Sequence, residues 1–431
     1  MSENNNAAVQ AADSKSNFGK KGWIMILYLF LGFFLVTSLG SDLMNVIIPQ
    51  FVAERGMDAT AMYGVSTIAA IIYCIIIVIL GFVVKVIGAR SLSIICSIVT
   101  AGCLCLWPMI NSTMAYLILR SITIGAISGV CYVANGNITA NWFPTKKGLV
   151  MGWATMGATT STIVAVAIFS ALYSRIGFAA PYYFWALICV VVLLMGVFFV
   201  RNNPEEKGYN PDNNKDMTYE DALKLQQEGE KYQKTSQWTV KKMLTTRHMW
   251  LIGFGTGPLL LFSVGVMSTF ISRAMELGFT QTTATLLMSV TAVIGLFGSY
   301  ICGVLDTKFG TKKAVIMLYV WIIVGLFLNI LASKSIGFYY VSIVMLACAI
   351  GGANNFPMSM ISTVFGRYDF ANAYRTTWPL IQLISSFSFS LVGGIASLFG
   401  GAYTTSYILV AIVCVIAIIL TACISNEKVG R

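Results

Sequence analysis

Two ionisable side chains, Asp42 and Arg120, lie far inside long apolar stretches of this 431-residue sequence. A charged group in hydrocarbon is costly unless it is paired or faces water, so such groups mark functional sites more often than packing sites. Counted at about 1.5 Å per residue, both lie in the outer third of their predicted helices, at similar depth. We predict that Arg120 attracts an anion and that Asp42 takes up a proton. A buried ion pair between the two is the alternative that the sequence leaves open.

Polar side chains inside other apolar stretches indicate a shared cavity. Trp378 and Gln382 are four residues apart and therefore share one helix face. Asn354 and Asn355 precede a proline and interrupt a long apolar stretch near its middle. Inside lipid such groups face water or other helices, and they also hold helices together. Asp42 is the predicted coupling residue, meaning that its proton uptake would be linked to binding. The residues predicted to bind a ligand in this cavity are Arg120, Asn45, Asn354, Asn355, Trp378, Gln382 and Tyr73.

The composition determines which solvent surrounds these residues. Hydrophobic residues make up 57% of the chain, charged residues only 10%, and the mean hydropathy is +0.78. A soluble protein has about 25% charged residues, so a water-soluble globule is excluded. The chain is expected to be an integral membrane protein that contacts the lipid bilayer.

Twelve apolar segments are long enough to cross about 30 Å of hydrocarbon as helices. They show no alternation at period two, which excludes a barrel, so we predict an all-α integral membrane fold. The predicted spans are residues 23–49, 60–84, 91–110, 114–139, 148–172, 182–200, 249–272, 281–305, 314–333, 337–364, 374–398 and 403–425.

The distribution of positive charge indicates how the chain crosses the membrane. When the N-terminus is placed inside, only four of the 28 Lys and Arg residues fall outside, and Arg120 lies within a span. The four are Arg55, Arg175, Arg273 and Lys334. Cytoplasmic loops are rich in Lys and Arg, so we predict that both termini are cytoplasmic. This asymmetry accounts for the net charge of +11 without a nucleic-acid partner.

One long polar stretch divides the chain into two parts of six spans each. It includes the sequence YEDALKLQQEGEKYQK, whose composition favours a short amphipathic helix at the membrane surface. We interpret the stretch as a solvated linker, with a docking site for a partner as the alternative. The predicted units are an N-terminal tail (1–22), an N-terminal six-helix bundle (23–200), a linker (201–248), a C-terminal six-helix bundle (249–425) and a C-terminal tail (426–431).

An internal repeat supports this division. A single offset of 222 residues aligns five similar positions in the two parts. Parallel six-helix repeats are typical of transporters whose binding site lies between the two halves. The offset maps Gly81 onto Gly303, Gly88 onto Gly310, Arg90 onto Lys312, Gly129 onto Gly351 and Phe143 onto Phe365.

The repeated glycines lie in short basic loops after the second and eighth spans. Glycine permits a tight turn between two helices, and the cations face the headgroups. We predict a role in gating, with a purely structural turn as the alternative. The predicted gating residues are Gly81, Lys85, Gly88 and Arg90 in the first copy and Gly303, Asp306, Gly310 and Lys312 in the second.

The first of these loops, Gly81-Phe-Val-Val-Lys85-Val-Ile-Gly88-Ala-Arg90, resembles the G-x-x-x-D-R-x-G-R-R signature of the major facilitator superfamily. Lys85 stands where that signature has an aspartate, whereas the second copy keeps an acid, Asp306, one position early. The resemblance covers essentially the whole chain. It implies a transporter of twelve helices, arranged as two parallel repeats, that works by alternating access and is sufficient as a monomer.

Further segments resemble the oxalate–formate antiporter and monocarboxylate branch of that superfamily. They are residues 141–148 (NWFPTKKG), 204–212 (PEEKGYNPD) and 365–373 (FGRYDFANA). This branch implies a small carboxylate as substrate, by symport or exchange, in a bacterial inner membrane. It is associated with basic residues within the eighth and eleventh spans. Here the eighth has none and Arg375 lies at the cytoplasmic end of the eleventh, so oxalate itself is not expected.

The first span carries a competing resemblance. Asp42-Leu-Met-Asn45-Val-Ile-Ile-Pro49 is similar to the acidic residue and N-V-A-L-P segment of proton-coupled drug antiporters, with the acid displaced by two positions. Larger amphiphiles or drugs are therefore the alternative cargo.

Other classes of chemistry find no support in the sequence. There is no G-x-x-x-x-G-K-[ST] segment for a nucleotide, and the ten cysteines lie in apolar segments without CxxC spacing. With a single histidine, we expect no metal, no cofactor and no enzymatic activity. The prediction is a secondary transporter of a small organic anion.

Overall fold

A computed structural model describes residues 18–214, 217–388, 391–392, 395–398, 402–425 and 429, and within these ranges the regular secondary structure is entirely helical. The α-helices are α1 (Gly19–Thr37), α2 (Met44–Arg55), α3 (Ala59–Leu106), α4 (Thr113–Ser128), α5 (Asn135–Trp142), α6 (Lys147–Ile176), α7 (Ala180–Phe198), α8 (Tyr219–Thr235), α9 (Val240–Thr245), α10 (Arg247–Glu276), α11 (Gln281–Phe309), α12 (Thr311–Leu331), α13 (Ile336–Gly352), α14 (Asn355–Ser386), α15 (Ile395–Leu398) and α16 (Tyr403–Ala422).

Polar residues at the helix starts explain several of these boundaries. The side chains of Asp58, Ser112 and Thr280 accept hydrogen bonds from backbone N–H groups three residues later, at the first turns of α3, α4 and α11. Such caps satisfy N–H groups that have no partner within the helix. The long helices that follow are therefore started by local sequence.

Nine helical segments of the described residues are long and apolar enough to cross a membrane, or ten when one bent pair is counted as a span. Two spans are merged in α3, since 48 residues would extend about 72 Å as one helix. Gly88 breaks it with φ of 80°. A second break, at Gly366 with φ of 75°, separates the tenth and eleventh spans within α14. The twelve-helix architecture is consistent with these segments.

Three spans depart from regular α-helix close to residues that the sequence singles out, namely Asp42, Gly129 and Asn354. Ser38–Asp42 and Gly129–Ala134 form π-helical segments that continue α1 and α4. The predicted interruption at Asn354 is confirmed, because α13 and the start of α14 meet there at an angle of 44°. π-helical turns occur frequently at functional sites.

Helix packing follows the two repeats and then joins them. In the first repeat α1 packs on α6, and α3 packs on α4 and α7. In the second, α10 packs on α14 and α16, and α11 packs on α13. The repeats meet where α6 lies along α11 and where α14 contacts α3 and α5. We call the membrane side that carries residues 199–246 the linker side.

The linker contains the predicted helix, α8, and this helix packs against α14. Tyr232 donates a hydrogen bond of 2.8 Å to one carboxylate oxygen of Asp369, and Ser236 donates one of 2.5 Å to the other. The linker is thus in contact with the second repeat as well as continuous with the first. Its interpretation as a merely solvated segment was incomplete.

Candidate functional site

Asp42 is the last residue of the first π-helical segment. One of its carboxylate oxygens accepts a hydrogen bond of 2.7 Å from the Ser161 hydroxyl of α6, and the other accepts one of 3.2 Å from Ser41. The carboxylate is therefore held between α1 and α6 by hydroxyl groups. Ser161 is not among the residues predicted from the sequence.

Arg120 lies on α4 with only 5% of its surface exposed. Its Nη2 atom donates a hydrogen bond of 3.1 Å to the backbone carbonyl of Gly40, which belongs to the same π-helical segment as Asp42. Its Nε and Nη1 atoms are buried and have no hydrogen-bond partner among the described residues. The guanidinium is anchored at one end and keeps donors that are geometrically suited to a carboxylate.

Trp378 belongs to an aromatic column that joins the two repeats. Its ring lies 4.7 Å from that of Tyr132 in the π-helical segment of the first repeat, and it stacks on Tyr374 at 5.3 Å. Tyr374 in turn stacks on Phe370. Trp378 and Tyr374 are each 1% exposed, and their polar atoms have no hydrogen-bond partner within the described part of the chain. Of this column the sequence analysis singled out only Trp378.

Asn355 lies in a polar cluster between α6, α11 and α14. Its amide donates a hydrogen bond of 2.8 Å to the backbone carbonyl of Ser299, and its oxygen accepts one from Thr155. The hydroxyl of Ser299 lies 2.5 Å from that of Thr155 and donates to the carbonyl of Gly152. Asn355 therefore holds the repeats together in this conformation, and a contact with substrate remains a prediction.

The remaining predicted residues lie around these groups. Asn354 is half-buried at the bend before α14, and Gln382 is half-buried one turn beyond Trp378. Tyr73 packs against the core of the first repeat, within electrostatic range of Tyr132. The side chain of Asn45 lies outside the described residues. Tyr73 is thus near the aromatic column through Tyr132, while Trp378 belongs to it.

The first predicted gating loop packs directly on the second repeat. At Gly81 a β-carbon would lie 2.5 Å from the β-carbon of Arg375 on α14, so only glycine fits this approach. Gly88 makes the turn, and the following Arg90 binds residues 197 and 202 through backbone and side-chain hydrogen bonds. Lys85 is exposed.

The second gating loop packs on the first repeat in the corresponding way. Gly303 approaches α6 so closely that a β-carbon would lie 2.7 Å from the α-carbon of Gly152. Asp306 is 4% exposed and accepts a hydrogen bond of 2.6 Å from Thr311. Its carboxylate lies at the N-terminal end of α6, where a β-carbon on Gly148 would approach it to 2.7 Å. The negative charge therefore complements the positive end of a helix dipole.

Two further residues of this loop have defined roles in the turn. Gly310 adopts φ of 81° between α11 and α12, as the tight turn requires. Lys312 donates a hydrogen bond of 2.8 Å to the carbonyl of Ile424. Of the glycines predicted in the two loops, Gly88 and Gly310 are confirmed as turn residues by their positive φ angles, whereas Gly81 and Gly303 lie within α3 and α11.

An ion pair on the linker side connects the linker to the second repeat. Arg367, just after the break at Gly366, donates to both carboxylate oxygens of Glu205 at 3.0 Å. Burial raises the pKa of Glu205, while the positive charge of Arg367 opposes that rise. Both segments carry the family resemblance, but the sequence does not indicate that they meet, because Glu205 and Arg367 are 162 residues apart.

Arg273 lies inside a helix rather than beyond its end. The sequence analysis assigned it to an outer loop after residue 272, but α10 continues to Glu276 and Arg273 is only 2% exposed. Its guanidinium pairs with Glu276 at 2.8 Å and donates to the side-chain oxygen of Asn329 at 2.9 Å. It lines a small cavity inside the second repeat. Asn329, a polar residue within the ninth apolar span, was the one indication in the sequence of a polar partner at this place.

Two parallel repeats of membrane helices, with polar groups buried between them, define a secondary transporter. The sequence model of the Major Facilitator Superfamily matches residues 29–381. Because the match covers most of the chain, the chain belongs to the Major Facilitator Superfamily, whose members are transporters and not enzymes.

Solved structures share this fold. The proton:xylose symporter XylE bound to 6-bromo-6-deoxy-D-glucose aligns with a TM-score of 0.76 at 15% identity, over 95% of this chain and 97% of XylE. The E. coli fucose:proton symporter FucP aligns with a TM-score of 0.67 at 16% identity, over 94% of this chain and 100% of FucP. No curated protein sequence matches the chain significantly. At these identities the likeness shows the fold alone.

Proposed function

We propose that this transporter moves a small monocarboxylate-like organic anion, and that Arg120 binds its carboxylate. The observation that carries the proposal is a buried guanidinium with two nitrogen atoms that lack a hydrogen-bond partner among the described residues. An unpaired buried charge is strongly unfavourable. A substrate carboxylate would supply the missing acceptor with charge-assisted hydrogen bonds.

Asp42 is proposed as the coupling residue. It lies on the π-helical segment whose Gly40 carbonyl binds Arg120, so a change at one group reaches the other through a single turn of backbone. Protonation of Asp42 would alter its hydrogen bonds with Ser161 on α6. The named structural neighbours are proton symporters, which is consistent with coupling to protons. The linker side is proposed to be cytoplasmic, with the chain functioning as a monomer.

A neutral hydroxylated substrate is the second candidate. The Trp378 and Tyr374 polar atoms offer hydrogen-bond donors beside stacked rings, and the structural neighbours XylE and FucP are symporters of the sugars xylose and fucose. Larger amphiphiles or drugs remain the alternative for an aromatic cavity. Arg120 should matter much less for either of these cargoes.

The test is uptake of labelled formate, acetate, lactate and pyruvate into proteoliposomes, with and without an inward proton gradient. We expect saturable uptake of at least one carboxylate by the wild-type protein, and its loss in Arg120→Gln. Arg175→Gln is the matched control, since it removes an exposed cation elsewhere in the first repeat.

Uptake of labelled xylose or fucose, unaffected by Arg120→Gln, would instead favour the neutral substrate. Absence of carboxylate uptake by protein shown to be folded would contradict the proposal.

A further inference from the structure

The two predicted gating loops differ in charge, although Lys85 and Asp306 are offset from each other by one position in the repeat. In the second copy, Asp306 places a carboxylate against the N-terminal end of α6, across the boundary between the repeats. In the first copy, the corresponding boundary lies between α3 and the part of α14 that starts after Gly366. Here the ionisable residues of the loop are Lys85 and Arg90, and both are basic. At one junction a carboxylate of the loop therefore faces the N-terminal end of a helix, whereas at the other the ionisable residues of the loop are basic.

The first-copy junction, defined by Gly81, Phe82, Lys85 and Arg375, has an excess of positive charge. The Arg375 guanidinium lies 4.4 Å from the ring of Phe82, and Lys85 is within electrostatic range of it. The helix that begins after Gly366 adds the positive end of its dipole on the same side. Neither of the two ion pairs found among the described residues involves Lys85 or Arg375.

Arg375 is itself incompletely satisfied. It is 6% exposed, and its buried Nε atom has no hydrogen-bond partner in the described part of the chain. Asp369 is the acidic group within electrostatic range of Lys85, but its two oxygens accept hydrogen bonds from Tyr232 and Ser236 of the linker. One shared carboxylate does not balance two cations and a helix dipole.

The surroundings of the junction indicate where an additional anion would come from. Phe82 is 47% exposed and Val86 is 86% exposed, so the apolar side chains beside Lys85 face outward from the helix bundle. Outward-facing apolar side chains in a membrane protein contact lipid acyl chains. Basic residues at the end of a membrane span meet phosphate at the level of the headgroups.

We propose that the headgroup phosphate of an acidic phospholipid binds at the first-copy junction, between Lys85 and Arg375. The lipid supplies the negative charge that Asp306 supplies at the other junction. It would thereby stabilise the conformation in which α3 and α14 are in contact on the linker side. This inference does not depend on the identity of the transported substrate.

The experiment uses the purified full-length protein in neutral detergent, titrated with phosphatidylglycerol, phosphatidylcholine or inorganic phosphate. Lipid adducts are counted by native mass spectrometry, and the thermal unfolding midpoint is followed in parallel. We expect phosphatidylglycerol, but not phosphatidylcholine, to bind and to raise the midpoint. Lys85→Gln should weaken phosphatidylglycerol binding about tenfold, because it removes one charge-assisted contact.

Two variants sharpen the test. Lys85→Asp should bind no phosphatidylglycerol at this site and should match the stability of the lipid-bound wild type, since it provides the carboxylate in the chain itself. Lys308→Gln, which removes an exposed lysine at the linker-side end of the second repeat, should bind phosphatidylglycerol as the wild type does.

The proposal would be overturned by equal binding of both lipids, or by full affinity in Lys85→Gln. Stabilisation by inorganic phosphate with no effect of phosphatidylglycerol would also overturn the assignment to a lipid. These readouts require no transport, so a failed uptake assay leaves them unaffected.

Discussion

At the scale of single residues, the most informative feature is that Asp42 and Arg120 have different hydrogen-bond partners. The carboxylate of Asp42 accepts hydrogen bonds from hydroxyl groups, whereas the guanidinium of Arg120 donates one to the backbone carbonyl of Gly40. This arrangement keeps the donors of Arg120 available to an external acceptor. It suits a binding residue next to a coupling residue better than a structural ion pair.

Replacing Arg120 by Lys should separate charge from geometry. We expect Arg120→Lys to retain some uptake of the carboxylate, but with kcat/KM lowered about 10- to 100-fold, because a single ammonium cannot reproduce planar, two-pronged hydrogen bonding. Initial rates across a range of substrate concentrations measure this. Unchanged kinetics in Arg120→Lys would mean that the guanidinium does not contact the substrate.

Asp42→Asn should uncouple transport from protons. The amide keeps hydrogen bonding to Ser161 but cannot exchange a proton, so we expect gradient-driven accumulation to be lost while exchange of labelled for unlabelled substrate continues. Comparing uptake with counterflow in the same proteoliposomes measures the difference. Ser161→Ala serves as the control for the hydrogen bond alone, and accumulation by Asp42→Asn at the wild-type level would refute the coupling role.

At the scale of helices, contact between the repeats depends on small residues. Gly148 and Gly152 on α6 face Asp306 and Gly303 on α11, and the backbones approach too closely for a side chain. Such close approaches are common between membrane helices, where packing and hydrogen bonds replace the hydrophobic effect. The contact between the repeats on the linker side therefore depends on glycines, which contribute only by leaving room for the facing helix.

Gly303→Val should hinder this contact. Its β-carbon would meet the backbone of Gly152 at 2.7 Å, and overpacking of this kind destabilises the packed state by roughly 1–3 kcal/mol. We expect slower uptake and greater access of solvent to the linker side, measured by labelling of a cysteine introduced at Thr363. Gly102→Val is the control, because nothing lies within 4 Å of a β-carbon there; equal effects in both variants would contradict the packing argument.

At the scale of the whole molecule, the linker connects the repeats a second time. The ion pair of Glu205 with Arg367 joins the chain after α7 to the turn before the eleventh span. The hydrogen bonds of Asp369 add a second connection nearby. Opening of the linker side must break or move these contacts, so they contribute to the balance between the two transport conformations.

Glu205→Gln should weaken the linker-side contact. It leaves Arg367 without its counterion, and we expect a loss of roughly 1–3 kcal/mol in stability, detected as a lower midpoint of thermal unfolding in detergent. Because burial raises the pKa of Glu205, the folded state binds this proton more tightly than the unfolded state does, and protonation stabilises the fold as the pH falls through the raised value. The stability of the wild type relative to Glu205→Gln should therefore increase at acidic pH.

Glu206→Gln is the matched control, since Glu206 is exposed and adjacent. A Glu205→Gln protein as stable as this control at neutral pH would show that the ion pair does not contribute.

The sequence by itself determined the class of this protein. Continuous apolar segments in lipid can satisfy their backbone only as helices, so the all-helical membrane fold followed from composition and segment length. The turn glycines, the break at Asn354 and the helix in the linker were also predicted, because each depends on a few neighbouring residues. The spacing of the repeat was visible for the same reason.

Only the tertiary structure decided which distant groups meet. The contacts of Ser161 with Asp42, of Tyr132 with Trp378 and of Glu205 with Arg367 join residues more than 100 positions apart. The burial of Arg273 likewise depends on Asn329 from another helix. Helix formation depends on neighbouring residues in the chain. Which faces of two helices contact each other depends on the packing of all the helices, and this cannot be read from a single sequence.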